Sequence, residues 1–427
     1  MKLYIVLAAF SFGLAACSPA ADTTEKFQIS ASSVVDDPTL TPAQKADALS
    51  LQAETLLSAY GLQESYDMAD SALKQDSTNF RAGFIKAIVT PALLQMGIFS
   101  RGHGLASKNA KTLSDYNNYV ALQKNKLPES ALKDFLFKQA TEFKSEAEVQ
   151  DHLDLLADSL VQLIEYLKAH RYEELSMKAN PIISPDIAKN YAAACRITTT
   201  SALEYQLVCP PKEAFSTIKL NRADFEAIRN LASAGIIYIA AWTSYDLSGL
   251  TDGLKEKSKM TEDSFDPESF INRLFTNSSF GLLRSKALLG KLKPIALDLS
   301  MGIQSVRGQQ YSLCPQGTDA AINRPGYLFN AGLCINSATY ASYDSTVMIL
   351  IGYKNSLTVQ KNGTAQGFGI DYASTLYRPM QDLRKLGPLK FDKCHQLESM
   401  GDSTAGGFFI NGDTNLFLKA QNADCTR

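Results

Sequence analysis

The chain has few of the residues and spacings that announce a chemistry. Its four histidines are scattered over 427 residues. No two of them stand at i, i+3 or i+4, and there is no C-x-x-C, which removes the common zinc spacings. No phosphate-binding P-loop, dinucleotide glycine fingerprint or H-E-x-x-H occurs either. These absences leave no metal ligands and no cofactor to expect. An excess of one charge is also missing. Lys and Arg number 42 against 44 Asp and Glu, a formal charge of −2, which argues against a nucleic-acid binder. Long apolar runs are scarce after the N-terminus. The best one, Leu231 to Trp242, is twelve residues long, too short to cross a bilayer, and reads as a buried core helix. What is abundant is ordinary globular material, 45% hydrophobic and 20% charged, enough for two or three domains with true cores.

The strongest positive signal lies in residues 1–17. Lys2 precedes an apolar run from Leu3 to Leu14, then small residues and a cysteine, the pattern of a secretory signal peptide. Its end, Leu14-Ala15-Ala16-Cys17, resembles the lipobox of bacterial lipoproteins at every position. An aliphatic residue and two small ones suit a narrow intramembrane peptidase site, and the Cys17 thiolate is the nucleophile that takes the lipid. The resemblance implies a signal peptide at 1–16, a mature chain starting at lipidated Cys17, and stable anchoring by several acyl chains. Ser18, where Asp would favour retention in the inner membrane, points to the outer membrane of the bacterial cell envelope. Residues 17–40 are polar and aperiodic and read as a lipidated tether spanning about 25–30 Å.

Six cysteines remain: Cys195, Cys209, Cys314, Cys334, Cys394 and Cys425. An even count in an exported chain favours disulfides over a metal site, and six cysteines permit 15 pairings. They fall into three local pairs, so sequential neighbours are the expected partners.

Helical periodicity dominates residues 41–305, the expected body. Thr41-Pro42 is a start signal, and Leu49, Ala53, Leu56, Leu57 and Tyr60 share one helical face. A second helix carries Tyr66, Ala69, Ala72 and Leu73, Asp76-Ser77-Thr78-Asn79 breaks it, and a third opens at Phe80, with Thr90-Pro91 interrupting it early. Ser65, Ala69, Ala72 and Ser77 are spaced as in the second helix of a tetratricopeptide (TPR) repeat. Ala48 and Ala82, Ala53 and Ala87, and Ala72 and Ala106 are each 34 residues apart, the TPR period. Residues 45–106 thus resemble about one and a half TPR repeats, although the usual Trp and Gly-Tyr positions are missing; a generic αα-hairpin with alanine contacts is the alternative. Such hairpins form grooves that hold a partner's peptide or helix.

Farther along, Ser145-Glu146-Ala147-Glu148 reads as a capping box before a long helix with Val149, Leu153, Leu156, Leu160, Leu163 and Leu167 on one side. Residues 176–216, rich in proline, read as an irregular loop or hairpin around a strand-like Arg196 to Thr200, stapled by Cys195–Cys209. Helices are expected again from Asn221 through Trp242, from Asp266-Pro267, and over Phe280 to about Gln304 with an interruption at Pro294. Residues 306–427 change character. Ser345 to Tyr353 is β-branched, Asn362-Gly363 reads as a hairpin turn, and a short helix is expected near Gln381–Leu386. The fold class is therefore mainly α, with TPR-like hairpins and a smaller disulfide-containing α+β C-terminal region.

Several short patterns invite chemistry. Gly401-Asp402-Ser403 followed by glycines resembles the nucleophile segment of trypsin-like proteases, but His103, His152 and His170 lie in helical contexts, so a surface turn is the better reading. Ser71-Ala72-Leu73-Lys74 and Ser130-Ala131-Leu132-Lys133 match S-x-x-K without an accompanying K-T-G. Asn411, Asp413 and Asn415 alternate oxygen ligands but lack the acids of a calcium loop. Asp151, His152, Asp154 and Asp158 cluster near a helix start and read as a solvated face. The expected function is non-catalytic: a membrane-anchored scaffold or binding module for a protein or envelope component. A lipid-anchored periplasmic or surface hydrolase, built around Ser403 and His395, is the alternative.

Overall fold

The computed structural model describes residues 34–57, 61–106, 110–126, 131–171, 173–177, 196–199, 205–208, 218–220, 222–252, 266–284, 288, 292, 294–299, 356–361, 364–371, 379–392 and 396–422. Of these, 59% are helical and 11% are in strands, so the described chain is mainly α.

Helix α1 (Pro42–Thr55) starts where the sequence says it should. The Thr41 hydroxyl accepts from the Gln44 amide, and the Gln44 side chain accepts from the Thr41 amide, closing a capping box ahead of Pro42. The connection to α2 (Leu62–Gln75) lets the two helices pack antiparallel. Ala53, Ala69 and Ala72 are completely buried, so the backbones approach closely enough for the Ser65 hydroxyl to donate to the Ala53 carbonyl at 2.7 Å. Asp76 ends α2 by accepting from both the amide and the hydroxyl of Thr78. Asn79 then caps α3 (Phe80–Leu94), while its amide nitrogen ties back to Asp47 of α1.

Pro91 does not interrupt α3, contrary to the sequence reading. The helix continues to Leu94, with Pro91 buried inside it. A proline removes one backbone donor, and at the same turn the Thr90 hydroxyl donates to the Lys86 carbonyl. The stop comes at Gly97, whose φ of +66° is a left-handed conformation. A side chain there would strike the Lys138 backbone. Short helices α4 (Ile98–Arg101) and α5 (His103–Ala106) follow, then α6 (Ala110–Lys126) and α7 (Ala131–Leu136). By length and composition Phe80–Leu105 is apolar enough to cross a membrane, which makes it a stronger candidate than Leu231 to Trp242; its apolar residues are mostly buried within the protein.

The long helix α8 (Glu146–Ala169) covers α3. Ser145 caps it, and Leu153, Leu156, Leu160, Leu163 and Leu167 are all buried, as their spacing predicts. Gly83 of α3 is required at this crossing, because a methyl group would overlap the Tyr166 ring. The Tyr166 hydroxyl donates instead to the Phe80 carbonyl at 2.8 Å. Strand β1 (Leu175–Met177) pairs antiparallel with β4 (Ile218–Leu220), and between them in sequence β2 (Arg196–Thr199) pairs antiparallel with β3 (Tyr205–Val208). Helix α9 (Arg222–Thr243) then packs along α8, with Gly235 admitting Leu160. A single apolar cluster runs through α1, α2, α3, α8 and α9 and includes Leu49, Phe84, Leu163, Phe225 and Ile239.

Two further expectations change. Val34 and Val35, expected within the tether, pack against this core instead, and the Lys45 ammonium donates to the Val35 carbonyl at 2.5 Å. Residues 280–283 are not helical: Gly281 has φ +78°, Leu283 bridges to Tyr245 and Leu282 bridges to Asp382. Long-range backbone pairing overrides local propensity there. Among the described residues, helical ones resume at 292 and run over 294–299.

Helix α10 (Pro267–Leu274) begins at the predicted Asp266-Pro267 cap. In the C-terminal region β5 (Ser356–Lys361) and β6 (Thr364–Gly369) form the predicted hairpin, with Lys361 paired to Thr364. A 3₁₀ turn spans Leu383–Leu386, β7 (Lys390–Phe391) pairs with β8 (Leu397–Ser399), and α11 (Thr414–Gln421) closes the described chain. Asn272 of α10 exchanges two hydrogen bonds with the backbone of Leu389, and the Leu383 amide donates to the Gly281 carbonyl. These bonds join the C-terminal region to the helical body.

Candidate binding surface at the α8–α9 end

The N-terminal turns of α8 and the C-terminus of α9 meet at one end of the body. A helix C-terminus leaves carbonyls without partners, and here two side chains from elsewhere supply donors. The Gln150 amide nitrogen donates to the carbonyls of Trp242 at 2.8 Å and Tyr245 at 2.6 Å. The Arg284 guanidinium donates to the Thr243 carbonyl at 2.9 Å, and the Arg284 amide donates to Ser244. Arg284 also pairs with Asp151 at 2.7 Å and Asp154 at 3.1 Å on α8. Glu146 completes the junction by accepting from the Thr251 amide. Positive charge at a helix C-terminus also complements its dipole.

This geometry corrects the reading of Asp151, His152, Asp154 and Asp158 as a solvated face. Asp151 is exposed, but Asp154 is 6% exposed and faces Arg284. The partner lies 130 residues away in sequence, which local pattern does not reveal. His152 points inward from the same turn, where its Nε2 lies 2.7 Å from the Leu94 carbonyl and its ring packs on Phe143. Burial pushes its pKa below the ordinary histidine value, and nearby Arg101 adds to the shift. A neutral ring donating to Leu94 accounts for both observations.

The exposed chemistry beside this polar junction is apolar. Trp242 is the chain's single tryptophan and keeps 39% of its surface in solvent; Leu155, one turn along α8 from Asp151, keeps 58%. The backbone around Trp242 is held by Gln150 and Arg284, so the residue is presented from a rigid support.

Lys74 pairs with Asp70 at 2.8 Å rather than with Ser71, and Lys86 pairs with the same carboxylate at 2.5 Å. Those two ammonium groups, Lys74 first, hold the Asp70 carboxyl below the usual range. Ser130 lies outside the described residues. Asp402 turns inward on its own loop and accepts from the amides of Thr404 and Gly406 and from the Thr404 hydroxyl. Burial opposes its ionisation, and these hydrogen bonds overcome it to lower the pKa. Asn415 accepts from the Met400 amide. Ser403 is exposed, while His103 pairs with Glu142, His152 meets Leu94, and His170 packs on the Phe80 and Tyr166 rings. His395 lies outside the described residues, as do Cys17, Cys195, Cys209, Cys314, Cys334, Cys394 and Cys425. Among the described residues no group of three or more His, Cys, Asp or Glu side chains could hold a metal ion.

No protein-family model matches the chain, and searches of curated proteins and of solved structures find no match to it either.

Proposed function

We propose that this protein is a lipid-anchored scaffold of the bacterial cell envelope. Cys17 carries the lipid at the outer membrane, and the helical body binds a protein or another envelope component without catalysing a reaction. The observation that carries the binding role is Trp242: a large, partly exposed aromatic on a backbone fixed by Gln150 and Arg284. Rigid, amphipathic aromatics lose little conformational entropy on binding and are enriched among residues that dominate interfaces. Leu155 adds apolar area, and Asp151 a polar rim.

The lipobox residues Leu14-Ala15-Ala16-Cys17 support the anchor. Helices α1, α2 and α3 are read as TPR-like, on the strength of the 34-residue alanine spacing and the complete burial of Ala53, Ala69, Ala72 and Ala82. With Val34 and Val35 packed against the body, the proposed tether is residues 17–33, which as a flexible chain would reach about 20–25 Å.

Two measurements test the proposal. Incorporation of a palmitate analogue should be lost on Cys17→Ser, and the protein should move from the membrane to the soluble fraction. A photo-crosslinking amino acid at position 242 should capture one defined envelope component that the same probe at exposed Lys74 does not. Persistent labelling of the Cys17→Ser protein, or identical capture from both positions, overturns the reading.

A further inference from the structure

The geometry points to the outer edge of β6 as a docking edge for a second copy of this chain. Which backbone groups face outward follows from the register. Lys361 is paired with Thr364 across a two-residue connection, and in such hairpins the flanking residues form a hydrogen-bonded pair. Hydrogen-bonded and non-hydrogen-bonded pairs alternate along an antiparallel ladder. Thr364, Gln366 and Phe368 therefore turn their N–H and C=O groups to β5, while Ala365, Gly367 and Gly369 turn theirs away. The far side of the strand agrees. The Ile410 amide donates to the Gly369 carbonyl at 3.2 Å, and the Asp371 amide donates to the Phe408 carbonyl at 2.7 Å.

Residues 408–410 thus use one end of this edge, and among the described residues nothing pairs with it at Ala365 and Gly367. That stretch is open. Thr364, Ala365, Gln366 and Gly367 are all exposed, although alternate residues lie on opposite faces of the ribbon. A Cβ built at Gly367 meets nothing within 4 Å. Free edges are commonly guarded by charge or proline, yet residues 364–370, Thr-Ala-Gln-Gly-Phe-Gly-Ile, contain neither. An identical strand is a matching occupant: it brings the same groups at the same spacing and no like charge to repel. Two limits fix the register. Outward-facing residues must oppose one another, so a two-fold axis passes through a residue and not between two. An axis at Gln366 drives the other copy's chain, where it enters Thr364, onto Gly369, which Ile410 already holds. An axis at Ala365 clears Ile410, and each Ala365 then exchanges N–H and C=O bonds with its counterpart. A contact of two short edges falls below the roughly 1,000 Å² of a stable interface, so the pairing is reversible and concentration-dependent.

The test uses the full-length protein in its own cells, carrying Ala365→Cys and oxidised with copper–phenanthroline. Pairing on the two-fold axis puts the two Cα atoms about 5.5 Å apart, inside the range of about 4.4–6.8 Å that a disulfide spans. The expected result is a reducible dimer in which tryptic peptide 362–378 is joined to its own copy. Gln360→Cys, exposed on β5, stands three strand spacings or about 15 Å from its counterpart and should not self-link. Adding Gly367→Lys, at a position with open space around its Cβ, should cut the linked fraction about tenfold by charging the edge. Sedimentation of the purified wild-type chain needs no added thiol: its mass should rise with concentration, and Gly367→Lys should hold it at the monomer. No self-link at 365, equal linking at 360, or a wild-type mass independent of concentration overturns the inference. Loss of the proposed anchor at Cys17 would leave it untouched.

Discussion

In the helical body, residues as distant in sequence as Leu49 and Ile239 belong to one buried cluster. In the C-terminal region the largest described cluster is Phe368, Ile370 and Phe409, with Phe417 against them. The body is held by apolar area, at roughly 1.5–3 kcal/mol for each large side chain taken fully out of water. The described part of the C-terminal region relies more on directional contacts: aromatic edges, the self-capped Asp402 loop, and hydrogen bonds onto residues 272–284. Each such bond is worth only about 1 kcal/mol net. The difference teaches that the body should be able to outlast the C-terminal region, while the reverse should fail.

The sharpest way to break this comparison is a pair of phenylalanine truncations. Phe225 is fully buried and its ring meets Phe80 and Phe84. Phe225→Ala should cost about 3–5 kcal/mol, lowering the urea midpoint of the whole helical signal. Phe368→Ala should raise amide exchange over 356–371 and 408–421 while far-ultraviolet circular dichroism of the helices keeps its midpoint. Helices that melt with Phe368→Ala would erase the distinction.

Arg284→Gln acts on the seam. It should cost about 2–3 kcal/mol, the worth of a hydrogen-bonded charged group, and amides near 244–251 and 381–384 should exchange faster than those of α2. An unchanged exchange pattern would mean that the seam does not depend on this side chain.

A smaller effect comes from acid. The folded-state pKa of His152 lies below its ordinary value because of burial. Above about pH 6.5 the ring is neutral in folded and unfolded chains alike, so it contributes no pH dependence. Below that, the unfolded chain takes up the proton first, and stability falls as pH drops towards the folded pKa. His152→Gln should flatten this slope in denaturation measured between pH 7 and pH 5. Asp70 and Asp402, whose pKa values are lowered, lose their contributions only below about pH 4.

The mildest change should stabilise. Ala405 has φ +48°, a left-handed conformation that costs a non-glycine residue roughly 1 kcal/mol. Ala405→Gly should slow exchange in the 402–410 loop by a few fold, with no effect on the helical body.

Local chemistry was legible wherever it decides the structure. Thr41, Asn79, Ser145 and Asp266 each cap the helix that follows, and the apolar face of α8 is the one its leucine spacing marks. The β5–β6 hairpin also matches its residue pattern, and β2 falls within the strand-like Arg196 to Thr200. What escaped depends on partners far along the chain. Arg284 turns Asp154 from a surface acid into a buried one, Asp382 draws Leu282 out of a helix, and the core draws in Val34 and Val35. Trp242 was visible as part of an apolar run, but nothing in that run said which residue would be left in solvent.

The β1–β4 ladder has a practical consequence. Met177 stands directly across from Ile218, one strand spacing of about 5 Å away. A two-residue Asn-Gly turn spans such a gap. Joining β1 to β4 by that turn is expected to leave the ladder in register, with Leu175 still opposite Leu220.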